Sequence, residues 1–299
     1  GCVDCMQVLA EAGCDTAATN NHGDNALVCA AESGVAAAVR VALATSWCEL
    51  EARDHDGCTA FLAACYVGTN DCMQLLAEAG CNTAVINKYG ENALISSASE
   101  SGAAVRTVLA AGWCELEART KLGRTAFLVA CYTGKVECMQ LLMEAGCDTA
   151  TRSSNNSANA LMLAAQSGVA AAVRAALAAG WCELEARDND DCTAFLLACD
   201  KGHVECMQVL AQAGCNTAVI NNYGMNALMC AACSGVAAAV RTALAAGWCE
   251  LEARADDGST AFQVACFKGT IESMQLLAEA GCNTAAKDNC NRTATDFVK

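Results

Sequence analysis

Residues 123–134 read GRTAFLVACYTG, and residues 135–150 continue with KVECMQLLMEAGCDTA. The same pattern returns along the chain, where glycines such as Gly23, Gly57 and Gly90 follow one another at intervals of 33 or 34 residues. A fixed period in this range is the sequence signature of stacked repeat architectures. The chain therefore predicts a repeat protein before any catalytic motif is considered.

The repeating unit occurs in two alternating forms. The second form reads NALMLAAQSG over residues 159–168 and VAAAVRAALAAGWCELEAR over residues 169–187. A first-form unit and a second-form unit together give a longer period of about 67 residues. Almost the whole chain is built from this alternation.

Each unit predicts two short helices. Apolar residues such as Cys138, Leu141 and Leu142 fall at helical spacing, and Thr125 or Asn159 stands where a helix N-cap is expected. The second helix ends at a glycine such as Gly146, because a left-handed residue at a helix C-terminus costs glycine no steric strain. The unit is thus a helix, a turn, a second helix and a connecting hairpin tip.

The pattern GxTAFLxACxxG, followed by LLxxAGCxTA, resembles the ankyrin repeat. The resemblance covers essentially all 299 residues and implies an all-α repeat solenoid of stacked helix-turn-helix repeats with short hairpin tips. The family opens its first helix with Thr-Pro-Leu-His, whereas this chain has Thr-Ala-Phe-Leu or Asn-Ala-Leu and contains no proline. His203 is the one histidine retained between the helices. The period and the glycines remain intact.

We expect one ankyrin-repeat domain over residues 1–299, because each unit of a solenoid touches only its neighbours and no linker is visible. It divides into a half repeat at 1–19, eight full repeats at about 20–288 and a half repeat at 289–299. Gly1 aligns with Gly68 and falls in the middle of a unit. We therefore expect the native chain to be longer, especially before residue 1.

Charge and hydropathy narrow the class of partner. The formal net charge is −15, and arginines recur singly rather than in clusters that would neutralise phosphates. No uninterrupted apolar run reaches the roughly 18 residues that a membrane helix needs. These features predict no nucleic-acid partner and no direct membrane insertion.

The 24 cysteines predict packing rather than disulfides. They recur at fixed positions, and equivalent positions one double unit apart are separated by roughly 20 Å of stacked helix, beyond disulfide reach. Free cysteine behaves as a small hydrophobic residue. Reduced thiols favour an intracellular, cytoplasmic location. The predicted packing positions are Cys65, Cys131, Cys199 and Cys266 in first helices, Cys72, Cys138 and Cys206 in second helices, and Cys14, Cys48, Cys81, Cys114, Cys147, Cys182, Cys215, Cys249 and Cys282 after them.

Motifs for metal, cofactor and catalytic sites give weak signals. The Cys2/Cys5 and Cys230/Cys233 pairs lack the further ligands that zinc requires, so we expect no metal. No phosphate-binding glycine loop or nucleophile motif is present, and we expect no catalytic residue and no cofactor. The Glu-Leu-Glu triplet, as at Glu183 and Glu185, recurs once per double unit and is interpreted as a solvated repeat feature.

Candidate binding residues lie where near-identical copies differ. The hairpin tips vary while their flanks scarcely change, and drift at positions free of packing is the alternative explanation. All four tyrosines fall on tips or late in a first helix, and Phe267 takes the same helical position. By resemblance, both places border the groove with which ankyrin arrays bind partners. The predicted protein-binding residues are Tyr66, Tyr89, Tyr132, Tyr223, Phe267, His22, His55, Lys88 and Lys121.

Four tryptophans form a separate series, Trp47, Trp113, Trp181 and Trp248, each an extra residue after a second helix. They either plug the alanine-rich units or form an exposed row. The chain as a whole predicts a non-catalytic scaffold that binds one or more proteins through its concave face and hairpin tips. The expected partners carry apolar anchors and basic residues, and membership of a large complex is part of the same expectation. Two alternatives stay open. One is a structural subunit of a large assembly or of an end-to-end stacked filament, and the other is a thiol-rich metal or redox protein.

Overall fold

The computed structural model describes residues 3–15, 18–44, 49–113, 115–181 and 183–297, without the side chains of residues 9 and 10. These residues contain 17 α-helices, one 3₁₀ turn and no β-strand, so the predicted all-α repeat fold is confirmed. The chain divides into two compact units, Gly1–Asp148 and Thr149–Lys299.

The first unit contains nine of these helices. Helix α1 precedes four pairs of helices, and each pair is one repeat. First helices pack on first helices of the next repeat, as α4 does on α2 and α6, and second helices pack on second helices. The helices are α1 (Val3–Glu11), α2 (Ala26–Glu32), α3 (Ala36–Ala44), α4 (Ala60–Val67), α5 (Asn70–Glu78), α6 (Ala93–Ala98), α7 (Gly102–Ala111), α8 (Ala126–Thr133) and α9 (Val136–Glu144).

The second unit contains four further pairs and a 3₁₀ turn at Ala294–Asp296. The packing order is the same, with α12 between α10 and α14 and with α13 between α11 and α15. Its helices are α10 (Ala160–Ser167), α11 (Ala170–Ala178), α12 (Ala194–Lys201), α13 (Val204–Gln212), α14 (Ala227–Ser234), α15 (Ala237–Ala246), α16 (Ala261–Lys268) and α17 (Ile271–Glu279).

The predicted N-caps begin the first helices. Thr125 Oγ1 accepts from the backbone N–H of Leu128 over 3.4 Å, and Asn159 Oδ1 accepts from that of Met162 over 2.9 Å. These bonds satisfy a backbone donor that has no partner within the helix. The first helices thereby start at a fixed register, which sets where their last residues, including Tyr132, are presented.

The cores are dominated by alanine, with leucine and cysteine as the next most frequent buried residues. Phe61, Phe127 and Phe195 are the largest fully buried side chains, one in each of three first helices. The predicted cysteine positions within first and second helices are buried in every case. After the second helices, Cys81 and Cys215 are buried, whereas Cys147, Cys249 and Cys282 are only partly covered.

The predicted burial of Cys14 is wrong, because its side chain is exposed. Cys14 follows α1, and among the described residues α1 packs against α3 without an element before it. Four further cysteines lie outside the described residues, namely Cys48, Cys114, Cys182 and Cys2 of the first Cys-x-x-Cys pair. Of the other pair, Cys230 is buried and Cys233 is half-buried.

Candidate functional site

The hairpin tips of successive repeats are joined by backbone hydrogen bonds. In the first unit, the N–H of His55 donates to His22 O over 2.9 Å, that of Lys88 to Asp56 O over 2.9 Å, and that of Lys121 to Tyr89 O over 2.8 Å. The four predicted tip residues His22, His55, Lys88 and Lys121 therefore lie on consecutive tips of one continuous ladder. All four are exposed.

The second unit has the same ladder. Here the N–H of Asn222 donates to Asp190 O, and the N–H of Asp256 donates to Tyr223 O, each over 3.0 Å. Glycine is required at this approach, because a Cβ atom on Gly224 would lie 2.8 Å from the Asp256 backbone nitrogen. Gly224 also has φ +70°, which other residues adopt only with strain.

An arginine before each of several tips ties two repeats together. Arg187 Nη1 donates to Asp191 O in its own tip and to Ile220 O in the next repeat, each over 3.1 Å. Arg53, Arg152 and Arg254 make the equivalent pair of bonds. The tips are thus held to a fixed spacing by side chains as well as by backbone.

The second glutamate of the Glu-Leu-Glu triplet is also structural. Glu185 Oε1 accepts from the backbone N–H of Asn216, in the following repeat, over 2.7 Å. Glu51, Glu117 and Glu252 accept from the equivalent amide. The triplet is solvent-exposed as predicted, but its second member also fixes the loop after the next second helix.

Three of the predicted aromatic residues line one cleft in the first unit. The cleft has a volume of about 400 Å³ and is bordered by Tyr66, Tyr89 and Tyr132 together with Lys121 and Leu122. The three tyrosines are 58 %, 47 % and 43 % exposed, respectively. We call this site cleft 1. Tyr66 and Tyr132 reach it from the ends of α4 and α8, and Tyr89 reaches it from a tip.

Two cations of the chain lie over the rings of cleft 1. The Arg124 guanidinium is 4.2 Å from the Tyr132 ring centroid, and Lys88 Nζ is 5.0 Å from the Tyr89 ring centroid. Lys88 is ion-paired with Asp56, and the Tyr89 phenol donates to the same carboxylate over 3.3 Å. The hydrogen bond between the Lys88 ammonium and the Asp56 carboxylate lowers the pKa of Asp56 and raises the pKa of Lys88.

The other two predicted aromatics line a cleft in the second unit, here called cleft 2. Its volume is about 470 Å³, and Tyr223 and Phe267 border it together with Phe297. Tyr223 is 56 % exposed and Phe267 is 70 % exposed. Phe267 packs edge to face against Phe297 with ring centroids 6.2 Å apart. Phe297 follows the last described repeat, and sequence reasoning missed it because the closing segment departs from the repeat pattern.

The structure therefore places all five predicted aromatics at two clefts. Lys121 borders cleft 1, and Lys88 lies beside it through its contact with Tyr89. His22 and His55 lie on earlier tips and border neither cleft among the described residues. Arg124 was not predicted, although its position next to the helix cap of Tyr132's own repeat was visible in the sequence.

A family model described as "Ankyrin repeats (3 copies)" matches residues 61–153, 97–188, 161–247 and 213–288. The chain belongs to the ankyrin-repeat family. Ankyrin repeats generally mediate protein–protein interaction, and the family is typically non-enzymatic. The clefts and tips are therefore candidate surfaces for a protein partner.

Each tryptophan of this ankyrin array that the structure describes is half-buried. Trp113 packs edge to face on Phe61 with ring centroids 5.2 Å apart, and Trp248 packs likewise on Phe195 at 5.0 Å. Both therefore cover a buried phenylalanine of an earlier repeat, which agrees with the plug interpretation rather than with an exposed row. Trp47 lies outside the described residues.

One group of side chains in the ankyrin array has the residue types of a metal site. Asp24, Cys29 and Glu32 bring their ligand atoms within 4.8 Å of one another, but Asp24 already accepts from Asn20 Nδ2 over 2.8 Å. We assign no metal to this group.

Each described helix has ten residues or fewer, which is too short to cross a membrane.

Proposed function

We propose that this ankyrin-repeat chain is a non-catalytic scaffold that binds one or more partner proteins through its two clefts and the tips beside them. The observation that carries the proposal is cleft 1, which Tyr66, Tyr89 and Tyr132 all border although they belong to three different repeats. Aromatic side chains supply large contact areas at low entropic cost and are enriched among the residues that dominate binding energy.

Rigidity supports this function. The arginine bonds from Arg53 to Gly57 O and Ile86 O, together with the tip ladder, fix the tips before a partner arrives. A preformed surface binds more tightly because less side-chain and loop entropy is lost on association.

The net charge of −15 indicates the chemistry of the partner. A partner surface with basic residues around apolar anchors would be steered toward the chain and would complement it electrostatically. Anionic partners such as nucleic acid would be repelled. The same proposal places the chain in the cytoplasm and makes it a member of a larger protein complex.

The burial of core cysteines such as Cys81 and Cys215 supports a scaffold over a thiol-based redox protein. Burial raises the pKa of Cys81 to about 12 and that of Cys215 to about 12, so both thiols stay neutral near pH 7. Neutral buried thiols are poor nucleophiles and poor metal ligands.

The proposal is tested by quantitative affinity capture from an extract of the source cells. The bait is the wild-type chain or a variant with Tyr66, Tyr89 and Tyr132 changed to alanine. A matched control carries Gln74→Ala and Gln140→Ala, two exposed changes on second helices. Loss of the same specific proteins in the tyrosine variant alone supports the proposal, whereas equal recovery on all three baits overturns it for cleft 1.

A further inference from the structure

Tyr89 and Tyr223 occupy equivalent tip positions in two copies of the same unit. The backbone N–H of each donates to the asparagine two residues before it, over 2.9 Å and 3.0 Å. Each phenol donates over 3.3 Å to an aspartate of the preceding tip, Asp56 for Tyr89 and Asp190 for Tyr223. The two sites are therefore matched in backbone and in the tyrosine–aspartate pair.

At Tyr89 the chain provides its own cation. Lys88 is ion-paired with Asp56 while its Nζ lies 5.0 Å from the Tyr89 ring centroid. A second lysine, Lys121, follows on the next tip, and its N–H donates to Tyr89 O over 2.8 Å. Lys88 thus shows how an ammonium group is held jointly by an aspartate and a tyrosine at such a tip.

At Tyr223 both lysines are replaced. Asn222 stands in place of Lys88, and Asp256 stands in place of Lys121. Among the residues that the structure describes, no cation lies over the Tyr223 ring. Asp190 and Asp256 flank Tyr223 on the two neighbouring tips, and both are exposed. Repulsion from the Asp190 carboxylate raises the pKa of Tyr223, as expected where no cation compensates it.

Two cationic residues, Arg292 and Lys268, also border cleft 2 and accompany its phenylalanines. Arg292 is ion-paired with Asp288 over 2.7 Å and stacks on Phe297 at 4.8 Å, and Lys268 follows Phe267 at the end of α16. The lining of cleft 2 thus combines Tyr223 and the carboxylate of Asp256 with the rings of Phe267 and Phe297. Asp190 adjoins this lining through its hydrogen bond with the Tyr223 phenol, so two carboxylates and a ring that carries no cation among the described residues lie beside the apolar wall.

We propose that the Tyr223 tip binds a lysine or arginine side chain of the partner protein, and that the apolar residue next to it in the partner enters cleft 2 against Phe267. This inference rests on the proposed scaffold function and specifies its partner. The incoming cation pairs with Asp190 and Asp256 and lies over the Tyr223 ring, as Lys88 does within the chain at Tyr89. The Tyr89 tip does not select such a residue, because Lys88 already pairs with Asp56 and lies over the Tyr89 ring.

The test uses NMR on the full chain with ¹³C-labelled tyrosine rings. The chain has four tyrosines, so Tyr89 and Tyr223 can be assigned by single Tyr→Phe variants and observed together in one sample. The probe is the peptide acetyl-Gly-Leu-Lys-Leu-Gly-amide. The control peptide carries norleucine, which has an unbranched neutral side chain, in place of lysine.

The expected result is a saturable shift of the Tyr223 signals with the lysine peptide and a much smaller shift of the Tyr89 signals. The norleucine peptide is expected to bind Tyr223 about fivefold more weakly or worse, because the ion pair and the cation–π contact are lost. A Tyr223 signal that does not respond to the lysine peptide, or that responds equally to both peptides, overturns the inference.

Two reciprocal variants separate this site from general attraction to an acidic protein. Asn222→Lys supplies the cation that Tyr89 already has, and it should reduce binding at Tyr223 by about fivefold. Lys88→Asn with Lys121→Asp gives Tyr89 the surroundings of Tyr223, and it should make the Tyr89 signals respond. All three positions are exposed, so the variants should fold, as circular dichroism will check. Unchanged binding in Asn222→Lys contradicts the inference.

The same variants separate this inference from the scaffold proposal. A captured partner that binds the wild type and Asn222→Lys equally, yet loses binding to Tyr223→Ala, would leave the scaffold function standing and exclude the cation site. Loss in both variants supports both proposals.

Discussion

The phenol of Tyr223 donates a hydrogen bond to Oδ1 of Asp190, in the tip of the preceding repeat, over 3.3 Å. The bond connects an exposed aromatic residue of cleft 2 to the backbone ladder that joins the tips, because the N–H of Asn222 donates to Asp190 O. Binding residues and structural residues therefore share the same tips. A substitution at a tip can be separated into an effect on stability and an effect on binding only by measuring both.

Removing an arginine that ties two tips should lower stability. Arg187→Ala is expected to reduce the free energy of unfolding by about 1 kcal/mol, since two bonds from an exposed charged group are lost. Arg174→Ala is the matched control, because Arg174 is also exposed and should change stability by less than about 0.5 kcal/mol. Urea denaturation monitored by circular dichroism gives both values, and equal midpoints for the two variants contradict the structural role of Arg187.

The two glutamates of one Glu-Leu-Glu triplet should contribute differently to the free energy of unfolding. Glu185→Ala removes the acceptor for the Asn216 N–H and should reduce the free energy of unfolding by about 1 kcal/mol, because that bond is charge-assisted. Glu183→Ala, two residues earlier and also exposed, should change it by less than about 0.5 kcal/mol. The same denaturation experiment applies. If Glu183→Ala is the more damaging change, the assignment of the structural glutamate is wrong.

Trp248 should matter for stability and not for binding at cleft 2. Trp248→Ala removes the edge-to-face contact with Phe195, and we expect a loss of about 2 kcal/mol in the free energy of unfolding. Trp248→Phe should recover part of that loss. The binding of the lysine peptide, measured at a temperature where each variant is folded, should be unchanged. A stable Trp248→Ala chain that has lost peptide binding would point to the exposed-row interpretation instead.

Buried thiols should make stability fall at high pH. Burial raises the pKa of Cys138 to about 11, whereas a thiol in the unfolded chain titrates near about 8.5. Between these two pKa values the folded state holds a proton that the unfolded state has lost. The contribution of the thiol to the free energy of unfolding is therefore complete below about pH 8.5 and is lost as the pH rises to 11. Cys138→Ala should lessen the fall by at most about 1.4 kcal/mol per pH unit in that range. An identical pH dependence for the wild type and Cys138→Ala would show that the thiol ionises equally in both states.

The repeat fold follows from the sequence because its determinants are local. The spacing of Cys138, Leu141 and Leu142, the caps at Thr125 and Asn159 and the glycine turns each act within a few residues, and the period then fixes which helices are neighbours. Burial of Cys131 and Cys138 follows from the same register. The exposure of Cys14 was not predictable in this way, because burial after a second helix depends on the packing of the neighbouring repeats as well as on the position within a unit.

The candidate site could be predicted only in part. The variable tips and the late first-helix position predicted Tyr66, Tyr89 and Tyr132, and the structure brings them to one cleft. The bonds of Arg187 to Ile220 O and of Glu185 to the Asn216 N–H join residues 33 and 31 positions apart. These pairs meet only after the repeats have stacked, so the sequence showed them merely as a recurring Glu-Leu-Glu-Ala-Arg motif. The structural role of that motif becomes visible only in the folded chain.

The most direct test of the scaffold proposal is the affinity of a captured partner for cleft variants, measured by isothermal titration calorimetry on the purified full chain. We predict that the Tyr66/Tyr89/Tyr132 alanine variant and the Tyr223/Phe267 alanine variant each bind at least about tenfold more weakly than the wild type. The Gln74/Gln140 alanine control should bind as the wild type does. Wild-type affinity in both aromatic variants, with their folds intact, would contradict the account.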